Sequence, residues 1–142
     1  MIYTKMTNRA MELAYRAHHG QCDKNGVPYV FHPFHLAEQM DTEETVTAAL
    51  LHDVVEDTDY TLEDLRAMGF PDPVLEALSL LTHDPSVPYM EYVKRLKNNP
   101  IARAVKLADL THNSDLSRLP AVTERDLERV EKYRRAKALL LE

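Results

Sequence analysis

The sequence predicts an all-α protein, and three observations support this. Apolar residues recur at helical spacing along most of the 142 residues, whereas no segment sustains the two-residue alternation of a half-buried strand. Runs of β-branched residues are few, which also argues against strands. Three glycines and eight prolines divide the chain into short segments. Because 142 residues suffice for one core without internal staples, we expect a single domain over residues 1–142.

Three helices are predicted over the first 56 residues, and the second and third have recognisable start signals. The first is expected over about residues 4–19, and residues 33–40 should form the second, with a proline in its first turn. The third is expected to begin at an Asp41 cap, with Glu44 three residues on as the capping-box partner. Its apolar pattern continues beyond residue 50, so we expect this helix to end near Glu56.

Five further helices are predicted after residue 60. They are expected near residues 61–69, 74–81, 89–96, 101–108 and 123–140. A threonine followed three residues later by an aspartate marks the start of two of them, at Thr61 and Thr123. Gly69 should stop the helix that Thr61 begins. Residues 21–31, polar and then aromatic, are expected to form a loop.

Composition and charge exclude several classes of protein. A net charge of −6 disfavours general nucleic-acid binding, which needs a basic surface. A small anionic substrate stays possible, because a bound divalent cation can dominate the local field. With Cys22 alone no intramolecular disulfide can form, and neither a signal peptide nor a run of ~18 apolar residues is present. We therefore expect a cytoplasmic protein that binds neither nucleic acid nor membrane.

The segment LLHDVVEDT, residues 50–58, places ionisable side chains where the apolar pattern indicates a buried helix. These side chains are His52, Asp53, Glu56 and Asp57. Desolvating a charge is costly unless it is paired or bound to a metal. Residues four apart share a helix face, so the turn offers an imidazole and three carboxylates beside one groove. Such ligands suit Mn²⁺, Fe²⁺ or Zn²⁺, and the lack of a thiolate disfavours a structural zinc site.

Two more segments are candidate contributors to the same site. FHPFH offers His32 and His35 at the start of the second helix. VKLADLTHN places Asp109 among apolar residues, with Lys106 one turn before it and Asn113 one turn after it. Each residue alone is more often structural than functional. The joint pattern on helices of one small domain indicates a metal-dependent site.

Other histidines and tyrosines are expected to be structural. His18, His19 and His83 have no evident partner in the sequence. Tyr29, Tyr89 and Tyr92 are more simply explained by packing in the core than by lining a pocket.

These motifs together resemble those of HD-domain phosphohydrolases. Within that superfamily the chain is similar to the hydrolase domain of RelA/SpoT-type enzymes and their small stand-alone relatives. Those enzymes remove pyrophosphate from the 3′ position of guanosine tetra- and pentaphosphate, (p)ppGpp. The matching segments are AHHGQ at 17–21, GVPYVFHP at 26–33, ALLHDVVEDT at 49–58, YTLEDL at 60–65 and VKLADLTHN at 105–113.

The resemblance implies a fold, a cofactor and roles for individual residues. The fold would be the all-helical HD-domain bundle. One divalent ion, typically Mn²⁺, would be held by His32, His52, Asp53 and Asp109. Glu56 and Asp57 would be the catalytic acidic pair. Asn113 would lie near the nucleoside, and Lys24 matches a common lysine of the family. Independently of the resemblance, the positive charges of Lys106 and Lys24 are suited to binding the substrate's phosphates.

Two alternative functions remain open at the level of the sequence. Asp23, Leu110, Asp115 and Leu116 depart from the family pattern around the base. This favours, as a second hypothesis, an HD phosphohydrolase acting on another nucleotide, for example a phosphorylated dinucleotide or a nucleoside monophosphate. A third is a metal- or ligand-binding helical module without turnover, against which the Glu56–Asp57 pair argues. The sequence specifies no oligomeric state.

Overall fold

The computed structural model describes all residues 1–142 and contains nine α-helices and one 3₁₀ turn. The helices are α1 (Lys5–Ala17), α2 (Phe31–Glu38), α3 (Glu43–Leu51), α4 (Val54–Asp57), α5 (Leu62–Ala67), α6 (Asp72–Leu81), α7 (Tyr89–Leu96), α8 (Pro100–Asn113) and α9 (Glu124–Leu141), with the 3₁₀ turn at Leu116–Arg118. No strand forms, and only one isolated bridge joins Cys22 to Pro28. The predicted all-α fold class is confirmed. None of the helices is both long and apolar enough to cross a membrane.

Helix α3 lies at the centre of the fold. Its residues from Thr45 to Leu51 are all buried, and it packs against α1, α2, α6 and α8. One hydrophobic cluster of 25 buried residues extends from Ala10 in α1 to Leu140 in α9. Because α3 is surrounded by other helices, the residues that follow its last turn lie beside both α2 and α8.

The two predicted threonine–aspartate caps are confirmed. At the start of α5, the Asp64 backbone N–H donates to Thr61 Oγ1 at 3.1 Å, and the Thr61 N–H donates to Asp64 Oδ2 at 2.9 Å. Thr123 and Asp126 make the same reciprocal bonds at the start of α9, at 3.2 and 2.9 Å. Each cap satisfies backbone donors that the first helical turn leaves free. Gly69 follows α5 with φ +92°, a conformation that glycine adopts without strain.

The prediction for the third helix is wrong at both ends. Its cap is Thr42, whose Oγ1 accepts from the Thr45 N–H at 3.1 Å, so neither Asp41 nor Glu44 forms the capping box. The helix also stops at Leu51 instead of continuing to residue 56. Asp53 adopts φ −107° and ψ 1°, outside the helical region, and this interrupts the helix before the single turn of α4. The apolar pattern continues through the break and therefore conceals it.

The second helix begins earlier and ends earlier than the predicted residues 33–40. It extends from Phe31 to Glu38, and Pro33 lies in its first turn, as expected. The loop before it is confirmed over residues 21–30. Because α2 begins at Phe31, His32 lies within its first turn and is buried.

Candidate functional site

Buried side chains from three separate parts of the chain converge at one point. His32 in α2, His52 just after α3 and Asp109 in α8 are only 5%, 3% and 7% exposed. One ligand atom of each lies within 4.8 Å of those of the other two. His32 Nε2 and His52 Nε2 lie 2.9 and 3.5 Å from the same Asp109 oxygen, Oδ1. Asp53 Oδ2 extends this group, 2.9 Å from His52 Nε2.

The His52 ring fits a metal ligand. Its Nδ1 lies 2.7 Å from the Ala49 carbonyl oxygen, which can only accept, so Nδ1 carries the proton. In the neutral ring this leaves a lone pair on Nε2. That Nε2 is buried and has no hydrogen-bond partner. A buried, unpartnered nitrogen beside carboxylate oxygens is the arrangement that a divalent cation would satisfy, and two imidazoles with two carboxylates form a suitable donor set.

Asp109 is held in its ionised form by its neighbours. Lys106 Nζ donates to Oδ2 and Asn113 Nδ2 donates to Oδ1, both at 3.0 Å. Burial raises the pKa of Asp109, but the Lys106 charge and the hydrogen bond from His32 hold this pKa well below its usual value. These contacts explain how a carboxylate is tolerated within an otherwise apolar helix.

Asp53 has a partner that the sequence analysis did not assign to it. The Tyr29 hydroxyl donates a hydrogen bond to Asp53 Oδ2. Burial raises the pKa of Asp53, yet the nearby His52 ring, when it is protonated, and the hydrogen bond from Tyr29 lower it overall. The expectation that Tyr29 only packs in the core is wrong, because its hydroxyl orients an acid of the site. The position of Tyr29 three residues before His32 was the available signal.

Glu56 and Asp57 border the same group from α4. Carboxylate oxygens of Asp53, Glu56 and Asp57 lie within 4.8 Å of one another. Glu56 Oε1 accepts a hydrogen bond of 2.6 Å from the backbone N–H of His83. Partial burial, together with the charges of Asp53 and Asp57, raises the pKa of Glu56, although the His83 bond opposes this. Burial and the charge of Asp53 also raise the pKa of Asp57.

A cavity of about 220 Å³ brings these groups to one surface. Its walls include His52, Asp53, Glu56, Asp57, Lys106, Asp109 and Asn113 together with Tyr29, Tyr89, Tyr92 and Tyr133. Tyr89 and Tyr92 thus also line the cavity, contrary to the expectation that they only pack. We call this space the reaction cavity. His32 lies behind its wall, next to Asp109.

A second cavity of about 340 Å³ adjoins the first. The two share Tyr29, Asn113 and Tyr133 in their walls. Three cationic side chains line the second cavity: Lys24, Arg118 and Arg129. The predicted substrate-binding residues are therefore distributed, with Lys106 in the reaction cavity, Lys24 in the second cavity and Asn113 at their junction.

The four positions that depart from the family pattern differ in their surroundings. Leu110 is buried in the core, and neither it nor Leu116 lines either of these two cavities. Asp115 caps the 3₁₀ turn through the Ser117 N–H at 3.0 Å. Asp23 accepts from the Asn25 and Val27 backbone N–H groups at 2.8 and 3.0 Å, and its other oxygen lies 3.7 Å from Arg118. Only Asp23 and Asp115 therefore border the space for a ligand.

His112 is a site neighbour that the sequence analysis did not single out. Its ring stacks on His32, with ring centroids 5.0 Å apart and an angle of 6° between planes. The two Nδ1 atoms are 2.7 Å apart. Burial, assisted by the charge of Arg118, lowers the pKa of His112 to about 4. His35, which the motif had offered beside His32, is exposed and lies outside the ligand group.

Comparison with known proteins assigns the chain to a family. The family model described as HD domain matches residues 10–139. The human protein named guanosine-3′,5′-bis(diphosphate) 3′-pyrophosphohydrolase MESH1 is 38% identical over 124 residues, which are 77% of this chain and 68% of the human protein. A Streptomyces coelicolor protein named GTP pyrophosphokinase is 38% identical over 122 residues. That match covers 77% of this chain but only 14% of the Streptomyces protein.

A solved structure has a similar fold over nearly its whole length. It is described as a metazoan ortholog of SpoT that hydrolyses ppGpp and plays a role in starvation responses. It has a TM-score of 0.70 and 27% sequence identity to this chain, covering 99% of this chain and 94% of that one. The matched family model, the relatives and the shared helical architecture agree, and the chain belongs to the HD-domain family.

Proposed function

We propose that this protein hydrolyses guanosine 3′,5′-bis(diphosphate) and releases pyrophosphate from the 3′ position. One observation carries the proposal: the buried His32–His52–Asp109 group, with an unpartnered His52 Nε2, opens into a cavity that also contains Glu56 and Asp57. The choice of nucleotide is supported by the names of MESH1 and of the SpoT ortholog, since both proteins are described by their action on this substrate.

The proposed cofactor is one divalent cation, Mn²⁺, held by His32, His52, Asp53 and Asp109. When bound, such an ion lowers the pKa of a coordinated water from 15.7 toward about 7 and offsets charge on phosphoryl oxygens. Four ligands from the protein leave coordination positions for ligands in the cavity. Tyr29 and Ala49 would hold two of these residues in place, through Asp53 Oδ2 and His52 Nδ1.

The acidic pair would handle the proton of the attacking water. In the reaction, water adds to the phosphorus attached to the 3′ oxygen, the bond from that phosphorus to the 3′ oxygen breaks, and the 3′ oxygen takes a proton. Glu56, fixed by the His83 N–H, is placed to accept the proton of the water, and its raised pKa favours this role. Asp57 would orient the water beside it.

The remaining predicted residues would bind the nucleotide. Lys106 faces the reaction cavity and would offset phosphate charge, while Asn113 stands where the two cavities meet. The second cavity, with Lys24 in its wall, offers room for the nucleoside. We further propose that residues 1–142 form one HD domain, because a single hydrophobic cluster joins α1 to α9, and that the protein acts in the cytoplasm, in keeping with its lone cysteine.

A second candidate substrate class is favoured by the acids of the second cavity. Asp23 and Asp115 border that space beside Lys24, Arg118 and Arg129, and their negative charge would offset part of the attraction of these cations for a polyanion. Another nucleotide with fewer phosphates would meet less repulsion. This alternative keeps the same metal ligands and the same acidic pair.

A nucleotide panel tests the proposal. The Mn²⁺-loaded protein is offered ppGpp and other nucleotides, and pyrophosphate and orthophosphate are measured separately. Pyrophosphate from ppGpp supports the proposal, phosphate from another nucleotide supports the alternative, and no release from any nucleotide indicates a binding module. The Glu56→Gln variant should keep its metal and lose turnover by about 100-fold or more. The matched control is Glu128→Gln on the exposed side of α9, which should behave as the wild type.

A further inference from the structure

Tyr89 lines the reaction cavity, and its hydroxyl is a buried polar group without a hydrogen-bond partner in the protein. The other two tyrosines discussed above differ from it. The Tyr92 hydroxyl donates to the Leu81 carbonyl oxygen at 2.6 Å, and the Tyr29 hydroxyl donates to Asp53. Leaving a buried hydroxyl unpaired destabilises a protein, so most such groups have partners. The exception at Tyr89 therefore indicates a partner that binds in the cavity.

The surroundings of Tyr89 indicate the charge of that partner. Lys132 Nζ lies 4.5 Å and Lys106 Nζ 5.7 Å from the centroid of the Tyr89 ring. Two ammonium groups beside one phenol favour an anionic acceptor over a cationic or neutral one. Burial raises the pKa of Tyr89 to about 12, although Lys106 opposes this, so the phenol keeps its proton at neutral pH and donates.

The position of Tyr89 also relates it to the acidic pair. His83, whose N–H fixes Glu56, has its ring centroid 5.8 Å from that of Tyr89. Tyr89, Glu56 and Lys106 consequently border the same cavity, in which a phosphoryl group would react. The acceptor with the matching charge is an oxygen of that group.

We propose that the Tyr89 hydroxyl donates a hydrogen bond to a non-bridging phosphoryl oxygen of the 3′ diphosphate, beside Lys106. This inference rests on the proposed function for the identity of the nucleotide. Its chemistry, a phenol that binds a phosphoryl oxygen, applies equally to inorganic pyrophosphate, the released product. Pyrophosphate therefore provides a probe that does not depend on the guanosine.

The Tyr89→Phe variant separates a ligand-binding role from a structural one. The wild-type Tyr89 hydroxyl has no partner within the protein, so its removal should leave the melting temperature unchanged or raise it. In the Mn²⁺-loaded protein, titration calorimetry should show pyrophosphate binding weakened by about 10- to 100-fold, the range for a hydrogen bond to a charged group. kcat/KM for ppGpp should fall by a similar factor. Tyr15→Phe, which alters an exposed ring on α1, is the matched control and should change neither quantity.

Tyr92→Phe should affect stability in the way that Tyr89→Phe should not. It removes the bond to the Leu81 carbonyl and should lower the melting temperature. If Tyr89→Phe binds pyrophosphate as tightly as the wild type, the inference fails, and a lowered melting temperature in the same variant would show that the hydroxyl is structural. The inference fails as well if the wild-type protein does not bind pyrophosphate. Weaker pyrophosphate binding by Tyr89→Phe, together with a wild type inactive on ppGpp, would support the inference and refute only the proposed substrate.

Discussion

His52 Nδ1 lies 2.7 Å from the carbonyl oxygen of Ala49, three residues before it in the last turn of α3. This hydrogen bond fixes the tautomer and the orientation of the ring. Its other nitrogen then faces Asp53 and Asp109 with a free lone pair. The helix ends at Leu51, so His52 comes directly after the residues with which α3 fills the core.

Replacing His52 should abolish tight metal binding. His52→Ala removes the ligand atom with the clearest unmet requirement, and we expect the affinity for Mn²⁺ to fall by more than the ~100-fold that can accompany the loss of an outer-sphere partner. Titration calorimetry on metal-stripped protein measures this. His35→Ala is the control, because His35 lies one helical turn away from His32 and outside the ligand group. Equal affinities for Mn²⁺ in the two variants would contradict the assignment of His52 as a metal ligand.

Tyr29 should act on the metal site through Asp53. Tyr29→Phe keeps the ring and removes the hydroxyl that donates to Asp53 Oδ2. We expect Mn²⁺ to bind about 10- to 100-fold more weakly, the usual effect of losing an outer hydrogen bond to a ligand. Tyr3→Phe, at a 70% exposed position, is the control for the loss of a hydroxyl. An unchanged affinity in Tyr29→Phe would show that Asp53 needs no such support.

The corrected start of α3 makes a prediction about stability. Thr42→Ala removes the side chain that accepts from the Thr45 N–H, and it should lower the free energy of unfolding by about 1 kcal/mol. Asp41→Ala, one residue earlier, should change it by less than about 0.5 kcal/mol. Urea unfolding followed by circular dichroism compares the two. A larger loss of stability in Asp41→Ala than in Thr42→Ala would indicate that Asp41 caps the helix, as the sequence alone predicted.

His18 should make stability depend on pH below neutrality. Burial lowers the pKa of His18 from its ordinary 6.5, while the hydrogen bond that His18 Nδ1 donates to Gln21 Oε1 opposes this. At His18 the unfolded chain therefore binds a proton at a higher pH than the folded chain, and the contribution of this residue to stability should fall as the pH drops below 6.5. Urea unfolding of metal-free protein at pH 7.5 and pH 5.5, about one unit on either side of the ordinary histidine value, measures the difference.

The His18→Asn variant is the test of this pH dependence. It should lose less stability than the wild type between the two pH values, whatever its stability at the higher one. The neighbouring His19 is exposed, so His19→Asn should keep the wild-type dependence. If both variants retain the full wild-type dependence, another group is responsible.

The sequence predicted those parts of the fold that are encoded locally. Thr61 and Thr123 carry their caps within four residues, and the structure has both. The break at Asp53 was missed because it lies inside an apolar pattern, where burial by surrounding helices outweighs the local signal. The periodicity of apolar residues does not reveal tertiary effects of this kind.

The site was predicted less completely than the fold. The residues of the sequence motifs converge in the folded protein. The groups that orient them through hydrogen bonds are distant in sequence, and the spacing of the motifs does not predict these contacts. The Tyr29 bond to Asp53 and the His83 N–H bond to Glu56 join residues 24 and 27 positions apart. Leu110 shows the converse: it departs from the family pattern, yet it is buried in the core and borders no ligand space. The packing of the folded protein, and not the sequence pattern, shows that Tyr29 and His83 support the site whereas Leu110 does not border it.

An anomalous-diffraction map of crystals grown with Mn²⁺ would show whether one cation joins the three segments of the site. We expect one strong peak per chain, within about 2.0–2.3 Å of ligand atoms of His32, His52, Asp53 and Asp109, a range typical of nitrogen and oxygen ligands to divalent metals. A map with no peak there, or with its strongest peak elsewhere, would show that these four residues do not form the metal site.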